Sequence, residues 1–487
     1  MRLTILAIDG MDREVCAELG ARLPNIHRLT EEGPRHGFVS VFPPDTDTAW
    51  ASFYTGRSPA EHGVFKYRDP RRPDRKPRPA ADETLYRGQS FWDLATTRGK
   101  RVAVSLPHNI YPGWDINGVM VTRAQSDPTP DAPLKVSGAP ITFDAARTRA
   151  VNGERRVYTD SQLAEVRTHL YAKFDAEAAI AWEVYQREPW DVYFAYFSVV
   201  DGAQHYFWQF HEPAHPGYRA GHPLEGVVRE VYERADRLVG QYLEALAPDE
   251  HLLILSDHGH GRRPTQLLNL NEFLRQQGLL RAKAGGRRSP QYYIKRSVRG
   301  LVSAYVSRFG LPPLAQSVSR LFPAFKRDLT ATGGIDYENS LAFVSEMPSM
   351  KGYNYGGIRV NGSGGEREAT IIRVTDALRA LRDPNTGTPL VTWVMRREQL
   401  DQGPFLDDIP DLLIETEADY GIAAPVHRPL IEPGFMHRVQ SGGHRRTTPV
   451  LWTHNFSAAA NDALAASGGP TLSLMDLNRF VRRIIES

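Results

Sequence analysis

Residues 43–56 read PPDTDTAWASFYTG and mark the point where an apolar run at residues 38–42, predicted to be a strand, gives way to a helix. The two prolines keep the helix from starting earlier, because proline fixes φ and disfavours helical geometry in the residue before it. A helical pattern then continues to Gly56, a residue type that commonly ends helices. Thr46 is thereby placed at the start of a helix. A threonine there is most simply an N-cap, but the position also suits a nucleophile or a bound phosphate.

The composition is that of an ordinary globular protein. The chain has 487 residues, 41% of them hydrophobic, with 59 basic and 57 acidic residues. This length allows two or three domains or one large elaborated domain, and the charge balance gives no indication of a nucleic-acid or membrane partner. Cys16 is the only cysteine, which rules out an intrachain disulfide, and the apolar run at residues 3–8 is too short for a signal peptide or a membrane span. We therefore expect a cytoplasmic protein; the oligomeric state stays open.

The order of apolar runs and helical patterns indicates an α/β fold. Continuous apolar runs at residues 3–8, 191–200 and 251–255 are typical of strands buried on both faces. Helical patterns over residues 161–187 and 225–246 separate them. Such alternation predicts a mostly parallel central sheet covered by helices on both faces, which is a three-layer sandwich.

Residues 280–340 interrupt this alternation. Their first half is rich in arginine and lysine, and apolar residues at helical spacing follow. We expect an inserted helical cap at 280–340, between a first part of the catalytic core at 1–279 and a second part at 341–487. The alternative is an amphipathic helix that docks on an acidic surface or a membrane interface.

Three apolar strands are predicted to end in an aspartate: Asp9, Asp201 and Asp257. In open parallel sheets, ligands bind outside the carboxyl ends of the strands. His205 lies one helical turn beyond Asp201, His258 follows Asp257 directly, and His444 follows two glycines. Mixed imidazole and carboxylate ligands favour zinc, with manganese or iron next.

The ordered set of motifs resembles the alkaline phosphatase superfamily and, within it, the type I phosphodiesterase/nucleotide pyrophosphatase branch. Each motif is weak alone, whereas the ordered set is specific and spans residues 9 to 444. The motifs are Ile8-Asp9-Gly10, Pro43-Pro44-Asp45-Thr46, Thr55-Gly56 with His62-Gly63, Asp201 with His205, Asp257-His258-Gly259 and Gly443-His444.

The resemblance implies an alkaline phosphatase-like sandwich with two divalent metal ions, expected to be Zn²⁺, with Mn²⁺ or Mg²⁺ as alternatives. It also implies hydrolysis of a phosphodiester or pyrophosphate-type bond in a small substrate, through a phospho-threonine intermediate on Thr46. By position, one metal would be held by Asp9, Thr46, Asp257 and His258. The other would be held by Asp201, His205 and His444.

Some positions depart from the family pattern. Asp47 and Thr48 stand where the family usually has an apolar residue and a proline, which makes Thr48 a rival nucleophile, although the spacing to Thr55-Gly56 favours Thr46. An asparagine that binds a phosphate oxygen in nucleotide pyrophosphatases falls on Tyr67 here, next to Lys66, and either side chain is a candidate for that role. The alternatives left open are a phosphotransferase or mutase, a phosphomonoesterase and a non-catalytic metal-binding regulatory protein.

Three other histidines have weaker expectations. His260, two residues past His258, is expected to be packed or solvated more than a site residue. His62 is expected to support the loop after the nucleophile helix, and His437 is a minor candidate for the site.

Overall fold

The computed structural model of the protein describes residues 2–32, 36–123, 134–138, 158–283, 334–347, 352–468 and 471–487. Its strands are β1 (Arg2–Ile8), β2 (Val102–Ser105), β3 (Gly118–Thr122), β4 (Lys135–Gly138), β5 (Val192–Phe197), β6 (Glu250–Leu255), β7 (Gly259–Arg262), β8 (Gln266–Asn269), β9 (Ala342–Val344), β10 (Tyr355–Val360), β11 (Val391–Arg396), β12 (Leu412–Thr416), β13 (Tyr420–Ala423), β14 (Ile431–Pro433), β15 (Gly442–Arg445) and β16 (Leu451–His454). Its α-helices are α1 (Arg13–Leu19), α2 (Pro24–Glu32), α3 (Thr46–Thr55), α4 (Pro59–His62), α5 (Glu83–Tyr86), α6 (Phe91–Thr97), α7 (Asp160–Tyr185), α8 (Val199–His211), α9 (Val227–Ala245), α10 (Leu270–Gln276), α11 (Gly364–Ala380), α12 (Arg397–Leu400), α13 (Ala458–Ala465) and α14 (Leu474–Glu486).

The central sheet has seven strands in the order β16-β6-β1-β5-β2-β3-β4. The five inner strands pair in parallel, and the edge strands β16 and β4 pair antiparallel to their neighbours. The predicted α/β fold with a mostly parallel central sheet is confirmed. In this arrangement the carboxyl ends of β1, β5 and β6 lie side by side at one edge of the sheet.

Helices pack on both faces of this sheet. One hydrophobic cluster joins it to α7, α8 and α9 through residues such as Phe174, Phe207 and Val231. A second cluster on the opposite face joins it to α3, α6 and α14 through residues such as Trp50, Trp92 and Leu477. The sandwich therefore has three layers, as the alternation predicted. None of the helices in the described ranges is long and apolar enough to cross a membrane.

A second, four-stranded sheet has the order β11-β12-β10-β9 and is antiparallel throughout. It packs on α10 and α11 and has its own hydrophobic cluster, which includes Leu274, Phe343 and Val374. The apolar segments of this part of the chain therefore form strands that do not join the central sheet. Most of the predicted cap, residues 284–333, lies outside the described residues. Ala282 and Ile335, on either side of it, form a β-bridge with each other.

The strand predicted at residues 38–42 is wrong. Phe38 forms a single bridge with Leu472. The N–H of Val39 donates to the carbonyl of Leu472, and that of Ser40 donates to the carbonyl of Arg446. The segment is extended, but its backbone hydrogen bonds go to two different loops, so it does not form a β-ladder with either of them. Its apolar residues serve packing.

Candidate active site

Helix α3 presents Thr46 at its first turn. Its N-cap is Asp45, whose carboxylate accepts from the backbone N–H of Thr48 at 3.4 Å. Gly56 ends the helix in the left-handed region at φ 72°. Because Asp45 does the capping, the Thr46 hydroxyl is left for another partner, and its Oγ1 lies 3.1 Å from Nε2 of His258. The structure thus sets aside the interpretation of Thr46 as the N-cap.

The rival residue Thr48 lies differently. Its side chain is fully buried, and its Oγ1 lies 3.4 Å from Oδ2 of Asp45. Among the residues described, only Thr46 of the two threonines contacts the histidine and aspartate cluster. The geometry therefore favours Thr46 as the nucleophile candidate.

A first group of possible metal ligands consists of Asp9, Asp257 and His258. Nε2 of His258 is 3.3 Å from Oδ2 of Asp257 and 3.7 Å from Oδ1 of Asp9. One ligand atom from each residue lies within 4.8 Å of the others. Asp9 follows β1 directly, and Asp257 and His258 follow the neighbouring β6, so the parallel pairing of these strands brings the three side chains together.

A second group surrounds Oδ1 of Asp201. This atom lies 3.4 Å from Nε2 of His205, 3.5 Å from Nε2 of His444 and 3.3 Å from Nδ1 of His260. Asp201 does not end a strand as predicted: it sits in the first turn of α8, where it shares a face with His205, one turn later. The stacked rings of His258 and His444, 3.7 Å apart, join the two groups.

The orientations of three of these imidazoles are fixed by backbone carbonyls. When the Nδ1–H of a neutral imidazole donates to a carbonyl, Nε2 carries the lone pair that can bind a metal. This is the usual arrangement of a metal-binding histidine. The Nδ1 contacts are His258 with Gly259 at 3.0 Å, His444 with Pro44 at 2.8 Å and His205 with Gly442 at 3.1 Å.

Buried carboxylate oxygens provide the test of whether cations fit here. Oδ1 of Asp9, Oδ1 of Asp201 and Oδ2 of Asp257 are buried and have no hydrogen-bond partner among the described residues. Buried polar atoms are normally hydrogen-bonded or bound to a metal. These oxygens lie 3.3–3.7 Å from the Nε2 atoms of His205, His258 and His444, so the residues fit divalent cations.

The electrostatics agree with this fit. Burial, together with the neighbouring carboxylates of Asp257 and Asp201, raises the pKa of Asp9 well above its usual value. Burial likewise raises the pKa of Asp257 to about 8. Burial would also raise the pKa of Asp201, but the imidazoles, His205 first, hold it well below its usual value. Bound cations would offset the repulsion between these carboxylates.

We therefore expect the stability of the metal-free protein to fall as the pH rises from about 6.5 to about 8. The folded-state pKa of Asp257, about 8, lies above its unfolded value near 3.9, so its stabilising protonation is lost across this window. The buried histidines have lowered pKa values and weaken the fold only below about pH 6.5. The expected loss is about 1–2 kcal/mol. Thermal unfolding of chelated and zinc-loaded protein at both pH values measures it, and equal slopes for the two forms would contradict the argument.

Tyr196 supports the first group from the inside of the sheet. Its hydroxyl donates a short hydrogen bond to Oδ2 of Asp9, which leaves Oδ1 of Asp9 for a cation. Nδ1 of His108 lies 3.3 Å from the same hydroxyl. Neither residue was predicted from the sequence, because the place of Tyr196 depends on strand register and that of His108 on the path of the loop after β2.

Replacing Tyr196 with phenylalanine is expected to weaken zinc binding by about 10–100-fold, the usual effect of removing a partner of a metal ligand. The ring stays in place, so the change removes only the hydrogen bond to Asp9. Competition with a chromogenic zinc chelator measures the affinity. Tyr232→Phe is the matched control, since its buried hydroxyl accepts from the N–H of Asp12 and contacts none of the candidate ligands. An unchanged affinity in Tyr196→Phe would contradict the assignment.

Asp47 is surrounded by hydrogen-bond donors beside Thr46. Its Oδ1 accepts from Asn109 Nδ2 at 2.6 Å and lies 2.8 Å from His108 Nε2. Its Oδ2 accepts a short hydrogen bond from Nζ of Lys66. Lys66 also lies 3.4 Å from Asp45, so its charge is taken up by two carboxylates. Tyr67, the other candidate for a phosphate contact, is almost fully buried in an aromatic cluster. The structure therefore gives neither residue a free position toward the site.

The structure brings together all seven residues proposed from the sequence as metal ligands: Asp9, Thr46, Asp201, His205, Asp257, His258 and His444. It adds His260, which is fully buried against Asp201 and opposite His444 in the β7–β15 pair. His62 bonds Ser52 Oγ at 2.9 Å and accepts from Val64 N–H, which matches its expected supporting role. His437 instead packs against His215.

Comparisons with known proteins show the family and the fold of this chain. The family model described as type I phosphodiesterase / nucleotide pyrophosphatase matches residues 3–440. Phosphonoacetate hydrolase from Sinorhizobium meliloti, solved with phosphonoformate, has a similar fold over 100% of this chain and 96% of its own, at 14% identity and a TM-score of 0.53. Murine ectonucleotide pyrophosphatase/phosphodiesterase 5 aligns over 100% of this chain and 95% of its own, at 12% identity and a TM-score of 0.46. No curated protein matches the sequence.

Proposed function

Because the chain belongs to the type I phosphodiesterase/nucleotide pyrophosphatase family, as its motifs predicted, it is a phosphoester hydrolase, and we propose that it cleaves a phosphodiester or pyrophosphate-type bond through a phospho-threonine on Thr46. The observation that carries the proposal is the 3.1 Å contact between Thr46 Oγ1 and His258 Nε2. This contact puts the hydroxyl of a helix N-terminus against a cluster of carboxylates and imidazoles with free ligand atoms.

We propose that Asp9, Thr46, Asp257 and His258 hold one divalent cation and that Asp201, His205 and His444 hold a second. Two bound cations would stabilise charge on the phosphoryl oxygens and lower the pKa of hydroxyl groups that contact them. The mixed imidazole and carboxylate donors favour Zn²⁺, with Mn²⁺ or Mg²⁺ as alternatives.

The protein's own part in the reaction centres on Thr46. Its Oγ1 gives its proton to solvent and attacks phosphorus, and the bond from phosphorus to the leaving oxygen breaks with its electron pair, which frees the first product as an alkoxide or phosphate that takes a proton from solvent. Water then attacks the phospho-threonine, the bond between Oγ1 and phosphorus breaks, and the hydroxyl is restored. The N-terminus of α3 favours negative charge on the phosphoryl group throughout.

The substrate class is tested with bis-p-nitrophenyl phosphate and p-nitrophenyl phosphate on zinc-loaded protein. We expect the diester to be hydrolysed with the larger kcat/KM. A larger value for the monoester would instead identify a phosphomonoesterase. Phosphorylated products in the presence of acceptor alcohols would identify a transferase. The cytoplasmic location stays a prediction.

A further inference from the structure

Two cations and one carboxylate form a buried group next to the active site. Arg123 directly follows β3, and Lys173 and Glu177 lie one turn apart on α7. Nη2 of Arg123 is 3.0 Å from Oε1 of Glu177, and Nζ of Lys173 is 3.8 Å from the same oxygen. The side chains of Arg123, Glu177 and Lys173 are 4%, 0% and 14% exposed, so the group carries an excess of one positive charge that is largely removed from solvent.

Arg123 is incompletely paired. Its Nε and Nη1 atoms are buried and have no hydrogen-bond partner among the residues that the structure describes. Leaving buried donors of a charged group unpaired is costly, and native proteins rarely do so without a functional reason. A purely structural ion pair with Glu177 would need one cation, and this group has two. The excess charge and the free donors both call for an anion.

The group lies beside the candidate ligands. The carboxylate of Glu177 accepts from the N–H of Ser198 at 2.9 Å and from its hydroxyl at 2.7 Å. Ser198 is the residue immediately before α8, which carries Asp201 and His205. Arg123 follows the carboxyl end of β3, the same edge of the sheet that carries Asp9 and Asp257.

The charge on Lys173 responds to the same surroundings. Burial and then the charge of Arg123 lower the pKa of Lys173 to about 8, against the opposing effect of Glu177, Asp9 and Asp201. A bound anion would favour the charged ammonium.

We propose that Arg123 and Lys173 form a subsite for a second anionic group of the substrate, a carboxylate or a phosphate, while the reacting phosphoryl group lies at Thr46. This inference rests on the proposed function and specifies its substrate class: a phosphoester that carries a further negative charge. Glu177 is a positioning residue, because it holds the guanidinium and is itself fixed by Ser198.

The test is calorimetric binding of phosphonates from 3-phosphonopropionate upward, in which no carboxylate adjoins and activates the P–C bond, so that turnover does not enter the measurement. Zinc-loaded protein is titrated with ω-carboxyalkylphosphonates of increasing chain length and with alkylphosphonates of matched length. We expect the carboxylate to bind about tenfold more tightly at one chain length or more, as a charge-assisted contact would give. Aminoalkylphosphonates should bind more weakly than either. A series of alkylene bisphosphonates shows whether the subsite favours phosphate over carboxylate.

Variants then assign the preference to its residues. Arg123→Met should reduce the preference for the carboxylate to about twofold or less, and Lys173→Met should reduce it in part. Arg187→Met, an exposed arginine just beyond the end of α7, is the matched control and should keep the preference. If Arg123→Met fails to fold because Glu177 is left unpaired, the double variant Arg123→Met/Glu177→Gln removes both charges.

The outcomes separate this inference from the proposed function. Wild-type protein that binds all three phosphonate types equally at every length overturns the subsite, and so does a preference that survives both Arg123→Met and Lys173→Met. Such results with intact hydrolysis of bis-p-nitrophenyl phosphate leave the proposed function standing. A carboxylate preference in a zinc-loaded protein that hydrolyses neither nitrophenyl ester nor a nitrophenyl phosphodiester carrying a carboxylate supports the subsite and overturns the proposed function.

Discussion

Replacing Thr46 with alanine is expected to lower kcat for bis-p-nitrophenyl phosphate by about a thousandfold or more, because it removes the attacking oxygen and no other side chain replaces it. Zinc content should stay near that of the wild type, since Asp9, Asp257 and His258 provide the remaining ligand atoms of that group. Steady-state hydrolysis and metal analysis on the same preparation measure both quantities.

Thr48→Val provides the matched control. Thr48 is on the same helix, two residues away, but its hydroxyl contacts Asp45 and not the metal-binding candidates. We expect its kcat to stay within about tenfold of the wild type, the scale of a small perturbation at a cap. A loss of kcat of about a thousandfold in Thr48→Val, with activity retained in Thr46→Ala, would show that the nucleophile has been assigned to the wrong threonine.

The second large effect is expected for Asp201→Asn. Oδ1 of Asp201 lies between three imidazoles and has no hydrogen-bond partner among the described residues. The amide keeps the shape but removes the negative charge that a cation needs there. We expect about one zinc ion per chain to be lost and kcat/KM to fall by at least about a hundredfold, more than the loss of an outer partner costs.

Asp175→Asn on α7 is the control for this change. Asp175 is an exposed carboxylate that pairs with Arg234 and lies outside the candidate metal groups. It should keep its zinc and its activity. Full zinc content in Asp201→Asn would mean that Asp201 is not a ligand, and the second metal position would then need different residues.

Much of this site was predictable because parallel strands end at one edge of a sheet. The apolar runs before Asp9 and Asp257 are strands in adjacent positions, so their ends had to meet. The spacing of Asp201 and His205 was also informative, since four residues make one helical turn whether the helix begins at the aspartate or before it. The helix from Thr46 to Gly56 followed from its prolines and its glycine.

The positions of His260, Tyr196 and Arg123 depend on strand pairing and helix packing, which a single sequence does not reveal. His260 enters the site because β7 pairs antiparallel with β15 and sets it opposite His444. Tyr196 reaches Asp9 because of the β1–β5 register. Arg123 follows an ordinary strand and meets Glu177 only through the packing of α7.

The local sequence pattern also does not determine which of the two sheets a strand joins. The strands β9 to β12 have the same apolar character as the central ones, yet they form a separate antiparallel sheet. Residues 38–42 have the composition of a strand, but their backbone bonds go to two different segments. In both cases the segments with which the backbone forms hydrogen bonds, and not the intrinsic β-propensity of the residues, determine whether a strand forms and which sheet it joins.

The central claim is that two cations bind at the two clusters beside Thr46, and anomalous diffraction at the zinc edge from zinc-loaded crystals tests it most directly. We expect two peaks in each chain, one between Asp9, Asp257 and His258 and one between Asp201, His205 and His444. The absence of both peaks, or strong peaks only elsewhere, would contradict it.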